Sequence, residues 1–144
     1  LACDITFAKE SASFIQAFSK IGLIPDSGGT FFLPRIVGMQ KAMALMMTGD
    51  KISAREAEAM NMIYKVIEDD LFDASVTKFA ARIAEMPTRG LGLTKKAVNA
   101  SWYNDLDAQL NIEQMLQTEA GKTNDFNEGV AAFLEKRMPE FKGR

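Results

Sequence analysis

The sequence predicts an α/β chain, mostly helical with a few short strands. Three observations lead there. Short runs rich in β-branched and aromatic residues, at 4–8 and 63–68, read as strands. Apolar residues recur at helical spacing through 39–48 and again from 72 to 83. Beyond Asp69 the strand signals stop and only helical patterns remain.

The elements follow in order. After the strand at 4–8, residues 13–16 read as a second short strand. Pro25 fixes its own φ, and Asp26 to Gly29 form a turn that opens a short helix over 29–37, with Pro34 inside it. Met39, Ala42, Met43, Met46 and Met47 make the apolar face of the next helix, which Gly49 stops. Ser53 and Glu56 have capping-box spacing, so a helix starts there and runs through Ala57 to about Met60. A strand at 63–68 closes the first part. Phe72, Val76, Phe79, Ala80 and Ile83 then share one face of a long helix, broken at Pro87. Thr88 is placed to cap a helix up to about Trp102 that Gly90 and Gly92 weaken. Asp105 starts another, with Leu106, Leu110 and Met115 expected inward. Thr123 or Asn124 starts the last, with Phe126, Val130, Phe133 and Leu134 inward and Pro139 as its end. The expected division is 1–69 and 70–144, with a boundary as late as Pro87 as the alternative.

Composition narrows the function classes. The 144 residues are 47% hydrophobic and 25% charged with net charge −2, ordinary for a globular domain with one core. That charge gives no field for nucleic acid, and no apolar run approaches the roughly 20 residues of a membrane span. Residues 1–10 carry Asp4, Lys9 and Glu10, unlike a signal peptide. The single cysteine, Cys3, fits a reducing, cytoplasmic setting and reads as a buried packing residue. There is no histidine, so the methionines at 39, 43, 46 and 47 read as core packing, not as a soft-metal site; no metal is expected. Trp102 and Tyr103 read as packing residues too.

The chemistry concentrates at Asp26. Asp26 and Ser27 suit a helix cap, and Gly28 and Gly29 allow backbone approaches closed to other residues. On spacing alone a capped loop is the plainer reading. The sharper one is a general base, because a carboxylate flanked by Leu23, Ile24 and Phe31 is partly desolvated and suited to moving protons.

The string Gly22-Leu23-Ile24-Pro25-Asp26-Ser27-Gly28-Gly29-Thr30, followed by Leu33-Pro34-Arg35, resembles the crotonase (enoyl-CoA hydratase/isomerase) superfamily. So do Thr48-Gly49-Asp50-Lys51-Ile52-Ser53-Ala54 and the C-terminal run from Glu128-Gly129 through Phe133 to Lys136-Arg137. The motifs stand in the family's order and span essentially the whole chain. Asp26, with Gly90-Leu91-Gly92-Leu93-Thr94-Lys95 and Leu106-Asp107-Ala108-Gln109-Leu110, is similar to the branch of ring-epoxide acyl-CoA isomerases of phenylacetate degradation. Hydratases of the superfamily carry a water-activating glutamate after a Gln-Pro; here Gln16-Ala17-Phe18 puts Phe18 in that place.

The resemblance implies the C-terminal half of a crotonase-like ββα spiral, since Leu1 to Ala8 is similar to a mid-domain strand and the family's chains are about twice as long. It implies that the backbone amides holding the thioester oxygen lie outside these residues. It assigns Asp26 as acid/base, Ala17, Phe18, Ile21 and Pro25 to the acyl pocket, and Phe133 and Lys136 to the adenine and phosphate end of coenzyme A. Gln117 stands where the family has a second aromatic near the adenine. Spacing alone makes Phe133 core and Lys136 a solvated charge. Residues 70–144 would form a helical lobe for oligomerisation and coenzyme A contacts, in a homotrimer or dimer of trimers. No cofactor is expected; coenzyme A is part of the acyl-CoA substrate. The rival reactions are hydration on the same fold or, in a different class, no catalysis at all: a helical interaction module whose turn is only a cap.

Overall fold

The computed structural model describes residues 3–144; Leu1 and Ala2, the start of the string read as a mid-domain strand, lie outside the described residues. The chain divides into two units, one up to Thr77 and one from Lys78 onward.

In the first unit, β1 (Phe7–Lys9) pairs in parallel with β4 (Lys65–Ile67), Ala8 opposite Val66. β2 (Ser13–Ile15) pairs antiparallel with β3 (Lys51–Ser53), Phe14 opposite Ile52. A 3-10 turn (Ala17–Ile21), α1 (Gly29–Val37) and α2 (Met39–Thr48) lie between β2 and β3. β3 runs directly into α3 (Ala54–Ala59) through a complete capping box. Ser53 Oγ accepts the Glu56 amide at 3.2 Å and Glu56 Oε2 accepts the Ser53 amide at 2.8 Å. The core gathers Leu33 of α1, Ala42 and Leu45 of α2, Ile52, Ile63 and Val66 around alanines 54 and 57. Those alanines are fully buried, so backbones approach closely where a larger side chain would hold them apart. Each buried Leu, Ile or Val contributes about 1.5–3 kcal/mol against exposure.

A second 3-10 turn (Asp69–Leu71) leads into α4 (Phe72–Ala84). The second unit holds α5 (Thr88–Ala100), α6 (Leu106–Ala120) and α7 (Asn124–Glu135). α5 packs on α6, and Gln109 Nε2 donates to the Ala97 carbonyl at 3.1 Å. Asp105 caps α6 through the Ala108 amide at 2.8 Å, and Thr123 caps α7 through the Phe126 amide at 3.1 Å. Asp125, 3% exposed, accepts the amides of Lys142 and Gly143 at 2.6 and 2.8 Å, which folds the C-terminal tail back onto α7.

Several sequence expectations are corrected. β3 lies between the expected Gly49 stop and Ser53 cap, where one apolar residue in three gave no alternation to read. α5 begins at Thr88 without a side-chain cap, because Pro87 takes the N-cap position. α7 ends at Glu135 through a left-handed Lys136, before Pro139. Leu106, Leu110, Met115, Phe126, Val130, Phe133 and Leu134 are all exposed, as are Met39, Met43 and Met47; of the four methionines of α2, only Met46 packs on the core. Helical spacing reports an apolar face, not what covers it. Cys3, Trp102 and Tyr103 are exposed too, so none of them is a buried packing residue.

Candidate active site

Asp26 is exposed, in an extended loop directly before α1. Neither it nor Ser27 caps the helix. Gly28 holds the N-cap position at φ 80°, with no side-chain bond to the first turn. Ser27 (φ 51°) and Gly28 are both left-handed. The Asp26 carboxylate instead accepts Ser27 Oγ at 3.1 Å, while its carbonyl accepts the Gly29 amide at 2.8 Å.

Gly28 is needed for its left-handed conformation, and both glycines sit close to a neighbouring side chain. A Cβ on Gly28 would stand 3.0 Å from Phe32 Cε2, and one on Gly29 would stand 3.3 Å from Pro25 Cβ. Pro25 therefore packs close to Gly29 in the first turn of α1. Phe31 and Phe32 meet edge to face, and the Arg35 guanidinium lies 3.7 Å from the Phe31 ring centroid, also donating to the Phe31 carbonyl at 3.0 Å.

Ala17, Phe18 and Ile21 sit on the 3-10 turn that leads to this loop; Ala17 and Ile21 are exposed and Phe18 is half-buried. The Leu23 amide donates to the Phe18 carbonyl at 3.0 Å, tying the loop back to the turn. The turn is seated by Gly49, the left-handed cap of α2. A Cβ there would lie 3.0 Å from both Ser19 Oγ and Lys20 Cε. Sequence reading took Gly49 only as a helix stop; its second use, close approach to the 3-10 turn, needs the tertiary contact to be seen. Ile21, Leu23, Ile24 and Phe32 leave apolar surface open along this segment, so the apolar neighbours do not bury Asp26 within these residues.

The first unit therefore carries Asp26, Ala17, Phe18, Ile21 and Pro25 on one continuous segment. Phe133 and Lys136 lie in the second unit. Phe133 is 83% exposed, which overturns its reading as a core residue. With Phe126, Val130, Leu134 and Phe141 it lines an apolar groove of about 440 Å³. Lys136 is exposed and caps α7 at φ 55°. Sequence reasoning missed the group beside it. Arg137 grips both oxygens of Glu128, at 2.6 and 2.9 Å, and donates through Nε to Glu135 at 2.6 Å. Glu128 and Arg137 were both in the C-terminal motif, but nothing in the string paired them.

A small α/β core whose Pro-Asp turn opens a helix, in a chain that ends in an α7-and-tail unit, defines a crotonase-like fold fragment. The chain belongs to the enoyl-CoA hydratase/isomerase family, whose family model matches residues 1–144. It is 46% identical over its whole length to 1,2-epoxyphenylacetyl-CoA isomerase of Escherichia coli, covering 55% of that protein. It is 47% identical to a probable enoyl-CoA hydratase of Rhodobacter capsulatus, again over the whole chain and 56% of that protein. Among solved structures, enoyl-CoA hydratase from Bacillus anthracis superimposes with a TM-score of 0.95 at 35% identity, over 99% of this chain and 55% of that one. The chain thus spans about half the length of the curated relatives it matches.

Proposed function

We propose that the protein isomerises an acyl-CoA thioester, of the ring-epoxide or enoyl class found in aromatic degradation, with Asp26 as the acid/base. The observation that carries this reading is the Pro25–Asp26 turn, which presents one exposed carboxylate on a segment whose Ile21, Leu23 and Ile24 stand open. A thioester makes the protons of the neighbouring carbons acidic when amide hydrogens hold the developing enolate oxygen. Those amides lie in the part of the protein beyond these 144 residues. Asp26 takes a proton from one carbon and returns it to another, which moves a double bond; with a ring epoxide the same carboxylate assists ring opening. Phe18 cannot exchange a proton, which disfavours a mechanism needing a second carboxylate there to activate water. Ala17, Ile21 and Pro25 complete the acyl pocket, and an acyl group lying on them strips water from Asp26. Lys136 meets the phosphates of coenzyme A as a point charge, with Phe133 against the adenine. The assembly is a homotrimer or a dimer of trimers.

The test is Asp26→Asn in the full-length protein. Isomerase turnover should fall about 10²-fold or more, and near wild-type turnover would remove Asp26 from the mechanism. One observation favours a second reading, hydration: the Rhodobacter relative, as similar as the isomerase, is named a probable hydratase. Turnover of crotonyl-CoA to its hydroxyacyl product, faster than isomerisation of a 3-enoyl thioester, would decide for it.

A further inference from the structure

α7 ends in a motif that normally wants a glycine. The Arg137 amide donates to the Ala132 carbonyl at 3.0 Å and the Lys136 amide to the Phe133 carbonyl at 3.3 Å, the paired bonds of a Schellman cap. The residue between them must be left-handed, and it is Lys136, at φ 55° and ψ 39°. A lysine there gives up the ease glycine would have, so something else must hold the turn. The structure supplies it one residue on. Arg137 forks Glu128, which lies on α7 two turns before the cap, and its Nε reaches Glu135. Glu128 also accepts the Glu140 amide at 2.8 Å, anchoring the chain beyond the turn. The cap is therefore pinned on both sides by one carboxylate, and Lys136 takes no part in that fork.

We propose that Arg137 and Glu128 are positioning residues. They lock the left-handed cap so that Lys136 is presented to the phosphates of the bound thioester. This rests on the reading of Lys136 as a phosphate contact given above. Lysine brings a mobile point charge, and a fixed backbone under it cuts the ordering cost of binding.

The test is coenzyme A binding to the full-length protein by calorimetry, in a double-mutant cycle. Lys136→Gly should raise Kd about tenfold or more through the lost charge–phosphate bond, while suiting the left-handed cap. Arg137→Lys should raise Kd about threefold or more with Lys136 present and add nothing in the Lys136→Gly background, because it acts through that lysine. An additive double mutant makes Arg137 merely structural and overturns the proposal. Weaker binding by Lys136→Gly but not by Arg137→Lys overturns the positioning role alone. No effect of Lys136→Gly removes the phosphate reading itself. If Arg137→Lys fails to fold, Glu128→Gln takes its place in the cycle with the same outcomes.

Discussion

Asp26 owes its presentation to two residues without side-chain chemistry. Gly28 supplies the left-handed N-cap and Gly29 the room for Pro25. Gly28→Ala should destabilise the full-length protein by about 1–2 kcal/mol through the left-handed backbone alone, read as a lower urea midpoint. The 3.0 Å approach to Phe32 adds to that cost unless the ring swings away. A second residue-scale effect is titratable. The Arg137 fork, with the Glu140 amide, holds the Glu128 carboxyl at about 2, against an ordinary 4.5. A depressed acid contributes stability in full above its ordinary value and loses it as pH falls through the folded one. The stability advantage of wild type over Glu128→Gln should therefore be constant near neutrality and disappear between pH 4.5 and about 2, in unfolding curves taken across that window.

At the scale of elements, the legible parts were those whose cause is local. Ser53 with Glu56 and Asp105 cap their helices where sequence spacing places them, and Thr123, one of the two residues offered, caps α7, because each bond closes within a turn. Ser53→Ala should cost about 1 kcal/mol and lower the thermal midpoint accordingly. β3 was not legible, since its only reason to be extended is β2, whose sequence lies far upstream. The end of α7 escaped for a related cause: a fork between Arg137 and Glu128 sets it, not the proline that follows. The same limit applies to the site. Pro25 to Gly29 announced a turn, but that Gly28 rather than Asp26 or Ser27 takes the N-cap depends on two successive left-handed residues, which no spacing encodes.

At the scale of the molecule, the apolar surface is the telling feature. Ile21, Ile24, Met39, Met47, Leu106, Phe133 and Leu134 stand open in a chain that spans about half the length of its relatives. Open apolar surface in each unit drives association, so residues 1–144 alone should bind a hydrophobic dye and self-associate in sedimentation. On the proposed reading, in which the amides that hold the enolate oxygen lie outside these residues, they should also show no acyl-CoA turnover. In the proposed reaction Asp26 ferries a proton on and off an acyl carbon. Solvent exchange reads it most directly: full-length protein incubated in D2O with an acyl-CoA should place deuterium on the carbon beside the thioester, followed by NMR. Wild type should exchange, and Asp26→Asn should lose exchange by about 10²-fold or more. Undiminished exchange in that variant would contradict it.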